Sequence, residues 1–100
     1  MYLVIPMDSD NIEEANITKV LNAKIWAQVL VEEGKIKDIS HASTYDGFTN
    51  LSEAVIFSSD SENPMPFIEL NIMPLVAHTQ KSIEDIVEAY LFRELHDMPY

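Results

Sequence analysis

The sequence contains no cysteine. That excludes disulfides and thiolate metal sites, and it removes the usual anchors of iron–sulfur clusters. Basic residues are scarce. Six lysines and arginines stand against seventeen aspartates and glutamates, for a formal net charge of −11. Most of such a surface repels a phosphate backbone, which argues against nucleic-acid binding. No apolar window reaches the length of a membrane span, so no membrane association is expected. The opening Met1-Tyr2-Leu3-Val4-Ile5-Pro6 lacks the basic start and long apolar core of a signal peptide. These features lead us to expect a soluble, cytoplasmic protein.

What is present is a globular composition. Apolar residues make up 47% of 100 residues, enough for one domain with a modest core. The clearest β signal runs from Ile25 to Ser40. Ile25-Trp26-Ala27-Gln28-Val29-Leu30-Val31 is bulky and β-branched, and Glu32-Glu33-Gly34-Lys35 supplies a glycine able to take the positive φ of a tight turn. The polar Ile36-Lys37-Asp38-Ile39-Ser40 then reads as the outer strand of a hairpin, its charges discouraging further pairing.

Tyr2-Leu3-Val4-Ile5 and Ala54-Val55-Ile56-Phe57 are unbroken apolar runs, as in strands covered on both faces. Pro6 belongs near the end of the first. Between residues 10 and 23 the pattern predicts a loop and then one or two helical turns near Ile17 to Leu21. Asp46-Gly47 marks a turn within Ala42 to Ser52. Asn63-Pro64 predicts a cap and start for a short helix ending near Leu70, with Asn71 at its end. Ile72 to Ala77, interrupted by Pro74, predicts an edge strand. Ser82 and Asp85 resemble a capping box. Ile83, Ile86, Val87, Tyr90, Leu91 and Leu95 then share one helical face, predicting a helix from Ile83 to Leu95 and a frayed tail from His96 to Tyr100.

A hairpin followed by a strand–helix–strand unit predicts an α/β fold with a mixed five-stranded sheet in the order 3-2-1-4-5, the second strand antiparallel to the others. The connection from third to fourth strand then crosses two strands, about 14 Å at roughly 4.8 Å per step. Ser43 to Ser52, fully extended, reaches about 33 Å and makes the crossing without a full helix.

Four stretches occur in an order and spacing that resemble the dinitrogenase iron–molybdenum cofactor biosynthesis family. They are Val4-Ile5-Pro6-Met7-Asp8, Glu33-Gly34-Lys35-Ile36-Lys37, Ala54-Val55-Ile56, and Ser82-Ile83-Glu84-Asp85-Ile86-Val87-Glu88-Ala89-Tyr90-Leu91 with Glu94-Leu95. The resemblance implies a ribonuclease-H-like fold and a protein that binds or carries nitrogenase cofactor precursors, an iron–molybdenum–sulfur cluster among them. It also implies a His-Phe-Gly-Arg motif before the second strand. The corresponding segment here is Ile17-Thr18-Lys19-Val20-Leu21-Asn22-Ala23, in which Val20 stands at the histidine position and both the glycine and the arginine are missing. The glycine-rich turn and helix that the family carries between its third and fourth strands are reduced to Ser43 to Glu53.

The remaining candidates come from residue chemistry. Asp8 and Asp10 follow the first predicted strand, and Asp60 and Glu62 follow the fourth. If those strands are adjacent and parallel, the acids share the carboxyl edge where open α/β sheets place ligands. Carboxylates gathered there suit Mg²⁺ or Mn²⁺, with Asp8, Asp10 and Asp60 as the metal set. In so acidic a chain the same residues also serve simply as solvated loop acids. His41 and His78 are the candidate cofactor ligands, imidazole being the one nitrogen donor available. Trp26 reads as core, and Tyr45 as a ring able to stack on a ligand. The expected function is a non-catalytic binding or carrier module with a degenerate cluster motif. The alternatives are a small Mg²⁺- or Mn²⁺-dependent hydrolase, and a protein-interaction domain with an unknown protein partner.

Overall fold

The computed structural model describes residues 1–11 and 13–98. In chain order the elements are β1 (Tyr2–Met7), a single 3-10 turn (Val20–Asn22), β2 (Ile25–Glu32), β3 (Lys35–Ala42), β4 (Ala54–Phe57), α1 (Met65–Ile68), β5 (Met73–Val76), α2 (Ile83–Leu91) and β6 (His96–Asp97). The strands form one mixed, open sheet in the order β3-β2-β1-β4-β5-β6. It has six strands where five were expected. Strand β1 pairs antiparallel with β2 and parallel with β4, β4 pairs parallel with β5, and β6 returns antiparallel to β5.

The β2–β3 hairpin closes on Glu33 and Gly34, with φ of 55° and 77°. Two successive positive φ values match the right-handed twist of a two-residue hairpin. A bulge between Leu30 and Val31 leaves Lys37 out of register, and together with the charged side chains of β3 it blunts that edge.

The pleat sorts β1 into two cores. Leu3, Ile5 and Met7 join Ala27, Val29, Ala54, Ile56 and Leu75 on one face, closed by Ile83, Ile86 and Val87 of α2. Val4 joins Trp26, Val55, Phe57 and Val76 on the other, closed by Phe67 of α1 and by Met98. Every residue from Leu3 to Met7 is therefore buried, as an unbroken apolar run requires.

Both helices end by the same device, and neither uses glycine. After α1, Asn71 takes φ 62°; its N–H donates to the Ile68 carbonyl and the Ile72 N–H to that of Phe67. After α2, Arg93 takes φ 58°; its N–H donates to Tyr90 and the Glu94 N–H to Ala89. These paired bonds satisfy carbonyls that a helix end leaves free.

The second of these ends corrects the expected helix, which was to run to Leu95. The chain turns at Arg93, Leu91 is 38% exposed, and Leu95 packs on the core from the extended segment that follows. The same turn brings His96 and Asp97 back along β5, in place of a frayed tail. Pro99 and Tyr100, the end of that expected tail, lie outside the described residues. Strand β5 is accordingly internal. Pro74 is tolerated there because β6 asks it only for an acceptor, its carbonyl receiving the Met98 N–H at 3.2 Å.

The expected helical turns near Ile17 to Leu21 shrink to the 3-10 turn. Ile17 instead bridges to Met7 and is buried, while Leu21 points out.

The connection from β3 to β4 crosses the α1 face without a helix. It is held by Gln28, the one buried polar side chain among the described residues, at 4% exposure. The Gln28 amide nitrogen donates to the Asn50 carbonyl at 3.0 Å and to the Ser52 hydroxyl at 2.9 Å. Gln28→Leu keeps the size of the side chain and strands both acceptors. It should lower the unfolding free energy by about 1–3 kcal/mol and speed amide exchange across residues 43–52. Denaturant titration with residue-resolved exchange checks this, and unchanged stability would contradict the role of Gln28.

Candidate functional site

Because β1 and β4 are parallel neighbours, the loops that follow them leave the same edge of the sheet. Asp8 and Asp10 lie in the first of these loops, and Asp60 and Glu62 in the second. The loops are not equivalent. Asp8 is committed locally: its carboxylate accepts the Asn16 N–H at 2.9 Å, and its own N–H donates to the Asn16 carbonyl. Asp10 and Asp60 are exposed. Among the described residues, no three histidine, aspartate or glutamate side chains gather where they hold one ion. Asp8, Asp10 and Asp60 thus do not converge as the sequence reading required.

Glu62 does converge on something. Its Oε1 accepts the Val20 N–H at 2.7 Å, and its Oε2 accepts the Ser58 hydroxyl at 3.2 Å. Val20 opens the 3-10 turn, whose first N–H groups have no partner within the turn itself. A carboxylate from 42 residues away supplies one, and so ties the segment before β2 to the loop after β4.

Beside this contact lies a groove of about 610 Å³ lined by Lys19, Val20, Leu21, Tyr45, Glu62 and Phe67, with Ser61, Asn63 and Pro66 at its margin. Its aromatic wall is prepared by packing. Phe67 stands edge-on to Phe57 at 5.5 Å between centroids and lies 4.8 Å from Tyr45, while Trp26 lies 5.8 Å from Tyr45 and 6.0 Å from Phe67. Trp26 is core, as its sequence context indicated. Leu21, at 97% exposure, forms an apolar lip. The groove therefore offers rings, one lysine and one carboxylate whose oxygens are already engaged.

A second cavity, about 520 Å³, lies at the opposite end of the parallel strands. Leu51, Leu70, Ile72, Phe48 and Tyr45 line it. The first groove is the better candidate, because it opens at the carboxyl ends of β1 and β4, where open sheets of this kind place ligands.

The two histidine candidates do not meet. His41 is exposed at the end of β3 and His78 follows β5, so four strand steps, about 19 Å, separate them. The neighbour of His78 is His96, with ring centroids 5.1 Å apart.

Sequence reasoning missed the roles of Glu62, Phe67 and His96. Glu62 read as one more loop acid, Phe67 as part of a short helix and His96 as tail. Only the long-range fold gives each its partner.

No protein-family model matches the chain, and no curated protein matches it. Solved structures do. The chain superposes on the crystal structure of the protein PH0822 with a TM-score of 0.75 at 15% identity, over 97% of this chain and 94% of that one. It superposes on a protein of Methanocaldococcus jannaschii, provisionally named a dinitrogenase, with a TM-score of 0.73 at 18% identity, over 97% and 93%. It also superposes on a protein of Thermotoga, provisionally named NifB and placed in the DUF35 family, with a TM-score of 0.66 at 11% identity, over 99% and 95%. At these identities the likeness establishes a shared mixed α/β fold.

The Glu62 contact sets a test of the site. Glu62→Ala leaves the Val20 N–H without its acceptor and should cost about 1–2 kcal/mol, whereas Glu62→Gln, which still offers an amide oxygen, should cost about half as much or less. Chemical denaturation of the two variants beside the parent chain checks the order.

Proposed function

We propose that this chain is a non-catalytic binding module with a ribonuclease-H-like arrangement, related to nitrogenase accessory proteins, and that the groove beside the Glu62–Val20 contact is its ligand site. Support comes from the shared fold with proteins provisionally named for nitrogenase and from the sequence stretches that resemble the cofactor biosynthesis family. The observation that carries the reading is the placement of the groove. It is walled by Lys19, Val20 and Leu21, the segment that corresponds to the family's His-Phe-Gly-Arg motif.

The groove's chemistry does not fit an anionic iron–molybdenum–sulfur cluster. Val20 offers no imidazole, the chain has no cysteine, the motif's neutralising arginine is missing, and the Glu62 carboxylate sets a negative charge against Val20, the motif's histidine position. Rings with one lysine and one engaged carboxylate suit instead a small ligand of apolar body and little net charge. A hydrolase reading lacks gathered carboxylates among the described residues. The exposed Leu21 favours a second reading, in which the lip of the groove is a contact for a protein partner.

The first reading predicts that this chain binds the cluster much more weakly than proteins with the full motif. Anaerobic incubation with cofactor precursor, gel filtration, and counting of iron and molybdenum provide the test. The expected result is protein eluting without stoichiometric metal. Stoichiometric co-elution would overturn the reading.

A further inference from the structure

The His78–His96 pair lies outside the groove and has no part in the function proposed above. Both side chains are exposed, and their rings meet at 5.1 Å between centroids with planes 77° apart. The backbone fixes the meeting. Val76 is the register partner of His96 in the antiparallel β5–β6 pair, and His78 lies two residues beyond Val76, in the bend that follows β5. The β6 strand itself exists because α2 ends at Arg93, so the pair depends on the fold and not on local sequence.

We propose that His78 and His96 form a two-imidazole site for a divalent transition metal of the zinc–nickel–copper class. The separation is the relevant observation. Two imidazoles bound to one tetrahedral ion through bonds of about 2.0 Å place their ring centroids about 5 Å apart. The rings of His78 and His96 stand at that spacing. Imidazole is the ligand type that zinc, nickel and copper share, and a site without carboxylate donors disfavours Mg²⁺ and Ca²⁺. The net charge of −11 raises the local concentration of any cation near the surface. With two protein ligands the ion keeps open positions for water or for a donor from a third molecule. It also links β6, only two residues long, to β5, so the metal acts as a clip on the C-terminal edge of the sheet. Metal binding to the folded form alone stabilises it by mass action.

The test uses the full chain without a histidine tag, titrated with Zn²⁺ and with Ni²⁺ by calorimetry in a non-chelating buffer. Thermal melts are recorded with and without each ion. One metal per chain is expected, with His78→Ala and His96→Ala each weakening binding on the order of tenfold or more, and His41→Ala leaving it unchanged. The melting temperature of the parent chain should rise with Zn²⁺, and that of His78→Ala should rise less. Mg²⁺ should give no histidine-dependent signal. Absence of Zn²⁺ and Ni²⁺ binding at millimolar concentration would overturn the proposal, as would binding that survives in the double variant. In either case the two rings form an aromatic contact and nothing more. Because the two histidines do not line the groove, this result stands or falls separately from the groove reading.

Discussion

The parallel pairing of β1 with β4 is the constraint on which the rest of the molecule depends. Strand β1 has no solvent face. Leu3, Ile5 and Met7 enter one core, Val4 the other, and both of its edges are paired. A strand so placed accepts neighbours only in fixed register, since a one-residue slip would exchange its two cores. Pairing β4 parallel to it requires a crossover, and the chain makes that crossover with residues 43–53, pinned by Gln28 in the absence of a helix. The loops after β1 and β4 consequently leave one edge together. Glu62 in one loop then reaches Val20, beyond the other, and the groove is the space left beside that contact.

Much of this framework is legible in the sequence, because its signals are local. The unbroken runs Leu3-Val4-Ile5 and Ala54-Val55-Ile56-Phe57 announce strands covered on both sides, Gly34 marks the hairpin turn, and Ser82 caps α2 through the Asp85 N–H. The errors arose where a local signal was overruled at a distance. Arg93 and Asn71 take left-handed backbone that glycine usually fills, so the end of α2 was read four residues late and β6 was not seen. Pro74 suggested an edge, but β6 needs only its carbonyl. Ile17 and Leu21 fall where the sequence predicts helical turns. The bridge from Ile17 to Met7 buries the first and turns the second outward.

The site was legible only as a neighbourhood. Strand order places the loops after β1 and β4 at one edge, and they do leave it together, but the acids there have different fates. Asp8 closes its own loop, Asp10 and Asp60 face solvent, and Glu62 becomes the link between segments. Nothing in composition separates these four carboxylates. The histidines repeat the lesson: His41 and His78 lie on strands four steps apart, and the neighbour of His78 is His96. Which side chains meet is decided by topology, and chemistry then acts on what topology supplies. Here it supplies an aromatic groove with one lysine and one carboxylate, in a protein whose net charge opposes anions.

The link between Glu62 and Val20 is the part of this account on which the groove depends, and amide hydrogen exchange reads it residue by residue. The Val20 amide should exchange more slowly than that of the exposed Leu21 in the parent chain, and Glu62→Ala should abolish the difference. Equal exchange at Val20 and Leu21 in the parent chain would show that the two loops are not joined, and the site as described here would be wrong.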